Sequence, residues 1–238
     1  MKKSDRCFLV DEGNSLVKIA FVDKGIIQSV KKITINELAY FNFENLPVAC
    51  SSVVENGLMT SHNANIDIYN VSSKSIVSFK NSYSSINSLG IDRLCNVQAM
   101  TALRNFGNRL AVDIGTCIKF DFLNSQNEYM GGSISPGIQL RYKSLNDYTD
   151  KLPLLNATEV PKLIGINTDE SIISGVLNGI YFEILGMIEK YEMQFGELSV
   201  FLTGGDSKYF DFTQKNNIFA HENLTLTGIH SVYQVNAH

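Results

Sequence analysis

Four short polar motifs carry residue types suited to holding phosphate and moving a proton. Asp11-x-Gly13-Asn14, Asp113-x-Gly115-Thr116 and Thr203-Gly204-Gly205-Asp206 each close an apolar, strand-like run. Glycines at a strand end let the backbone approach phosphate oxygens and turn N–H groups toward them. Aspartates beside such turns are able to hold Mg²⁺, directly or through water. The fourth motif, Gly90-Ile91-Asp92-Arg93, opens an apolar-periodic run. A carboxylate such as Asp92 within reach of an alcohol would act as a general base. Arg93 beside it could pair with an anionic substrate, with Asp92 or with developing phosphate charge. The structural alternatives are an N-cap for Asp92, a turn aspartate for Asp113 and a loop aromatic for Tyr83. The chain has neither GxxxxGK[ST] nor GxGxxG, the two commonest nucleotide fingerprints.

The elements that must position these motifs come in two similar sets. Phe8 to Val10 and Leu16 to Val22, around a Gly/Asn turn, read as a β-hairpin, and Ile26 to Ile35 as a third strand. A matching pattern follows 102 residues later: Leu110 to Val112, the Asp113 turn, Cys117 to Leu123, then a strand from Tyr129. The repeat of apolar-Asp-x-Gly-(Asn/Thr)-strand at the start of each half predicts a duplication. The expected fold is α/β: two similar lobes, 1–106 and 107–238, each a sheet flanked by helices, with a ligand cleft between them. Helices are expected over Ile91–Phe106, Ile138–Lys151, Asp169–Phe195 and Asn223–Asn236, with a strand over Leu198–Leu202. The stretch from Asn36 to Ser88 is the least legible, and its Ser/Asn-rich parts read as loops.

Composition narrows the class of function. The 238 residues carry 20 Lys+Arg against 24 Asp+Glu and are 44% hydrophobic, which suits a globular chain with a sizeable core. A net charge of −4 offers no broad basic field, so nucleic acid and an anionic membrane are not expected partners. The apolar start breaks at Asp11 and Glu12, too early for a signal peptide, and no run suggests a membrane span, so a cytoplasmic location is expected. Cys7, Cys50, Cys95 and Cys117 form no CxxC, and the four histidines show no zinc-binding spacing.

Together and in this order, the three turn motifs resemble the phosphate-1, phosphate-2 and adenosine motifs of the acetate kinase, sugar kinase, heat-shock chaperone and actin superfamily. With Lys18, Gly90-Ile91-Asp92-Arg93 and Gly131-Gly132-Ser133-Ile134-Ser135-Pro136-Gly137 added, the chain resembles the type III pantothenate kinases from the first strand to Gly205. The resemblance implies mixed sheets of ribonuclease H-like (actin-like ATPase) topology in both lobes. It implies ATP-dependent phosphorylation of pantothenate to 4′-phosphopantothenate, the first step of coenzyme A biosynthesis.

Residue by residue, the resemblance implies that Asp11, Glu12, Gly13, Asn14, Ser15, Leu16, Val17 and Lys18 line the ATP phosphates, with Asp11 near Mg²⁺. Gly90, Ile91, Asp92 and Arg93 would contact pantothenate, with Asp92 as the general base, and Tyr83 would lie against the substrate. Asp113 would bind an activating monovalent cation, K⁺ or NH₄⁺, and Thr116 would contact ATP. Thr168 would complete the substrate site in a homodimer.

Four positions depart from the family pattern. Glu12 replaces an apolar residue and adds negative charge near the phosphates unless strand alternation turns it away. Ser15 and Lys119 stand where threonine is common, and Ile86 where proline is usual. The competing readings are a kinase of another small alcohol, which would not need both the Arg93 and Thr168 contacts, and a non-catalytic regulatory protein, which would not need Asp11, Asp92, Asp113 and Thr116 together. A filament-forming, actin-like role fits least, since the chain is short.

Overall fold

A computed structural model of the chain describes residues 5–13, 16–52, 66–156 and 161–237. The first sheet is built from β1 (Arg6–Glu12), β2 (Val17–Asp23), β3 (Ile26–Ile33), β4 (Val48–Ser52) and β5 (Ile68–Asn70). Its strand order is β3-β2-β1-β4-β5, with β1–β2 and β2–β3 antiparallel and β1–β4 and β4–β5 parallel. The four-residue α1 (Ile35–Leu38) starts at a Thr34/Glu37 capping box.

The second sheet repeats the plan with β7 (Asn108–Ile114), β8 (Cys117–Leu123), β9 (Glu128–Pro136), β10 (Leu198–Thr203) and β11 (Ile218–Ala220). Its order is β11-β10-β7-β8-β9, with the short β6 (Lys80–Asn81) added beside β9. Again the first hairpin, β7–β8, is antiparallel, and β7–β10 and β10–β11 are parallel. The expected duplication is therefore visible strand by strand, and the topology is the ribonuclease H-like one.

Four longer helices accompany the sheets: α2 (Ile91–Leu103), α3 (Ile138–Asp147), α4 (Thr168–Phe195) and α5 (Leu224–Asn236). The first and second of these stop short of the expected Phe106 and Lys151. Arg104 already has extended dihedrals, and Tyr148, at φ −108° and ψ 12°, has left the helical range.

The chain divides into a first unit of residues 1–105, 127–129 and 223–238, and a second of 106–126 and 130–222. The expected second lobe, 107–238, thus gives up its closing helix to the first. The reason is packing. Gly228 of α5 lies against the backbone of Cys95 in α2, leaving no room for a Cβ. Thr225 Oγ1 donates to Asn96 Oδ1 at 3.0 Å, and Gln98 Nε2 to Ser231 Oγ at 2.8 Å. Residues 127–129 join the first unit because β6 pairs with Glu128 and Tyr129.

One first-unit core gathers Phe8, Val10, Val17, Ile19, Val48 and Cys50 with Leu38 and Phe43. The second unit's core joins β7, β8 and β10 to α3 and α4. Against the expectation of no run long enough to span a membrane, α4 has the length for it, with an 18-residue window of mean hydropathy 1.5. Its Ile172, Val176, Leu177, Ile180, Ile184 and Ile188 are nevertheless buried in that protein core.

Between Asn36 and Ser88, the stretch with the least legible pattern, residues 53–65 lie outside the described residues and the rest is not all loop. β4 lies in it, and its Val48, Ala49, Cys50 and Ser51 are all buried. A strand covered on both faces loses the apolar–polar alternation that betrays half-buried strands.

Candidate active site

In each unit the strand-end aspartate has the same two neighbours. Asp11 faces Lys18 across the β1–β2 hairpin and Ser51 on the parallel strand β4. Asp113 faces Lys119 across β7–β8 and Thr203 on the parallel strand β10. The duplicated topology thus builds an aspartate between an ammonium and a hydroxyl twice.

In the first unit Ser51 Oγ donates to Asp11 Oδ1 at 3.2 Å. The next residue, Glu12, is only 1% exposed. Strand alternation puts it on the face opposite Asp11, with Phe8 and Val10, so its charge is turned away from the turn. Val17, which pairs with Glu12 across the hairpin, is likewise buried, whereas Leu16 is 52% exposed. Gly13 N–H closes the turn on Leu16 O at 3.2 Å. Asn14 and Ser15, expected to line phosphates, lie outside the described residues.

At the start of α2 the N-cap is Gly90 and not Asp92. Asp92 sits in the first turn, where the helix dipole favours a carboxylate. Its Oδ1 accepts from Arg93 N–H at 2.8 Å and hangs over Gly90, where a Cβ would approach it to 2.6 Å. A side chain at position 90 would push the carboxylate aside, which gives the glycine of this motif a steric reason. Asp92 stays partly exposed while α2 is buried from Arg93 to Met100.

The Arg93 guanidinium carbon lies 5.5 Å from the centre of the Tyr83 ring. Tyr83 in turn stacks on Tyr129, with centroids 5.9 Å apart and planes inclined by 22°. The charges of Asp11 and Asp92 both bear on Cys95. Burial pushes the Cys95 thiol well above the ordinary range, and the charges of Asp11 and Asp92 push it further. The first unit therefore holds Ser51 on Asp11 at the tip of β1, and Asp92, Arg93 and Tyr83 together at the start of α2.

Hard carboxylate oxygens suit Mg²⁺, which is usually held by one or two of them plus substrate phosphates. No cluster of three or more His, Cys, Asp or Glu is found among the described residues. A single strand-end carboxylate such as Asp11 would suit an ion that arrives on a nucleotide.

The second unit carries the other Asp-Gly turn. Gly137 N–H donates to Thr116 O at 3.0 Å, and Asp206 N–H to Ile114 O at 3.0 Å. Those bonds tie the start of α3 and the Gly204-Gly205-Asp206 turn to the Asp113 turn, on which Thr116 is exposed.

Asp113, expected to hold a monovalent cation, has an ammonium beside it. Its Oδ2 is 2.8 Å from Lys119 Nζ, with the two side chains 13% and 17% exposed. A further unit charge about 4 Å from that ammonium would cost about 4 kcal/mol at an effective dielectric constant of about 20. The residues present do not fit a resident K⁺ or NH₄⁺ on this carboxylate. Thr168, the first residue of α4, is exposed and lines a cleft of about 680 Å³ with Arg141, Ser144 and Ile172.

Sequence reasoning missed Ser51 and Tyr129 as parts of the site. Ser51 lies in the strand without legible alternation, and Tyr129 is 46 residues from Tyr83. Only the pairing of β6 with β9 brings that ring close.

Two units of the same ribonuclease H-like topology, each with an Asp-Gly turn at the end of its first strand, define an actin-like ATPase fold of the kind used by sugar kinases. A crystal structure from Campylobacter jejuni, described as a Baf family transcriptional activator, shares it with a TM-score of 0.65, at 21% identity over 95% of this chain and 97% of that one. The activator of 2-hydroxyisocaproyl-CoA dehydratase from Clostridium difficile, with bound ADPNP, matches with a TM-score of 0.53, at 12% identity over 97% and 94% of the two chains.

Residues 7–190 match the family model for type III pantothenate kinase, and the chain belongs to that family. It is 35% identical to the type III pantothenate kinase of Christiangramia forsetii over 96% of this chain and 98% of that one. With the corresponding protein of Flavobacterium johnsoniae it is also 35% identical, over 94% and 96%.

Proposed function

We propose that the first unit's cluster phosphorylates pantothenate with Asp92 as the general base. The family supplies the reaction: a pantothenate kinase transfers the γ-phosphoryl group of ATP to the 4′-hydroxyl, opening coenzyme A biosynthesis. The observation that carries the assignment of residues is the start of α2, where the partly exposed Asp92 sits beside Arg93 and Arg93 is held over Tyr83. Asp11, whose carboxylate accepts from Ser51, is in the same unit and supplies the phosphate side in this reading.

Phosphoryl transfer asks a protein mainly to position the nucleophile and neutralise charge. Asp92 takes the hydroxyl proton as the oxygen attacks the γ-phosphorus, and the bond to the bridging oxygen breaks to release ADP. Arg93, held over Tyr83, presents positive charge to pantothenate's carboxylate or to the transferring group. Gly13 and Lys18 cradle phosphate oxygens, and Thr116 contacts the nucleotide. Mg²⁺, held by Asp11, would neutralise phosphate charge when bound.

A homodimer is the assembly we assign. On α4, Phe182 and Met193 are 59% and 69% exposed, and Gly175 and Gly186 meet no atom within 4 Å, which leaves room for a second copy. Thr168 at the head of that helix would then serve the partner's substrate site. The cytoplasm, where ATP and pantothenate are present, is the assigned location.

The test is ADP release from MgATP with and without pantothenate. Pantothenate-dependent release from a dimer supports the reading. Release with sugars but not pantothenate keeps the fold and discards the substrate. A folded, ATP-binding protein that turns over no alcohol points to regulation instead.

A further inference from the structure

We infer that Lys119 is a built-in counter-cation for the Asp113 turn, so that this kinase works without a bound monovalent cation. This rests on the kinase reading given above. Lys119 Nζ stands 2.8 Å from Asp113 Oδ2 with both side chains largely buried, so it holds a cation's position on that carboxylate. The distance is that of a charge-assisted hydrogen bond, about 2.7–2.9 Å.

The register makes the pair a feature of the fold rather than of a wandering surface lysine. Asp113 and Lys119 are directly opposite on β7 and β8, two residues from the turn's tightest point. The duplicated hairpin of the first unit sets Lys18 opposite Asp11 in the same way. Each strand-end aspartate therefore faces a lysine carried by the next strand. An ammonium tethered to β8 needs no capture from solution and loses no affinity when salt changes. It balances Asp113, so that the pair leaves no net negative charge beside the Thr116 turn that is assigned to the nucleotide.

The experiment measures turnover of the purified full chain with MgATP (Tris salt) and pantothenate in K⁺, Na⁺ or tetramethylammonium chloride at one ionic strength. Wild-type rates should agree within about twofold across the three salts, whereas the Lys119→Thr variant should lose about tenfold or more in tetramethylammonium and regain it in K⁺. Calorimetry of MgADP binding gives a readout independent of chemistry. K⁺ should tighten binding to Lys119→Thr and leave wild type unchanged.

Stimulation of wild type by about tenfold in K⁺ would overturn the inference. So would a Lys119→Thr variant with the wild-type salt profile in both measurements. Should that variant fail to fold, the wild-type salt series decides alone. If pantothenate supports no turnover in any salt, the kinase reading fails, and the wild-type MgADP titrations with and without K⁺ still decide the role of Lys119.

Discussion

The guanidinium of Arg93 is laid over the ring of Tyr83, 5.5 Å from its centre, and the same ring stacks on Tyr129. Arg93 is 4% exposed and Tyr83 only partly buried, so the arginine is fixed by the protein while the tyrosine edge remains reachable. On the proposed reading, a planar cation held this way would meet an anionic substrate already oriented.

Arg93→Lys keeps the charge and loses the planar stack. Cation–π contacts of this kind are worth about 0.5–2 kcal/mol. The pantothenate KM should therefore rise about twofold to thirtyfold, with the ATP KM little changed. Tyr83→Leu should shift the same constant in the same direction. Steady-state kinetics with each substrate varied checks both, and an unchanged pantothenate KM would remove the stack from substrate binding.

Asp92→Asn should lower kcat by about a hundredfold or more, because the amide cannot accept the hydroxyl proton. The fold should hardly notice. Gly90 caps α2, so the substitution removes only a favourable first-turn charge, worth about 0.3–1 kcal/mol. Turnover and thermal melts on the same preparation separate the two effects, and near-normal turnover would take the general base elsewhere.

His221, after β11, supplies a pH-dependent term in stability. Burial lowers its pKa below the ordinary histidine value of about 6.5. The folded state thus resists a proton that the unfolded chain accepts. Stability from this group is complete above the ordinary value and is lost as pH falls through it toward the folded pKa. His221→Gln should flatten this part of the profile, so the difference in melting temperature between variant and wild type should change between about pH 7.5 and pH 5. Parallel curves over that range would show that the imidazole does not resist protonation.

The hairpins and their turns were legible because their residues alternate with period two and end in Asp-x-Gly. The same alternation, once β1 was placed, decided which way Glu12 points. Long-range pairing was not legible. Ser51 reaches Asp11 through a parallel strand 40 residues on, and Tyr129 reaches Tyr83 through a two-residue strand, with no local pattern to announce either. Lys119 stood out only as an unusual residue; the strand register turns it into a partner for Asp113. Pairing of this sort depends on which surfaces meet, and periodicity describes only one surface at a time.

The membership of α5 in the first unit was the largest such gap, and it has a consequence for catalysis. Gly228 presses on the backbone at Cys95, one helical turn after Asp92. Gly228→Ala would place a methyl where the Cys95 carbonyl already is, so α2 must move or α5 must lift. Overpacking of this kind costs about 1–3 kcal/mol. Either movement displaces the helix start that carries Asp92 and Arg93. The variant should melt earlier and, where still folded, show a lower kcat with both substrates saturating. A variant that melts early and keeps full kcat would mean that α5 supports the stability of α2 without setting the position of its first turn.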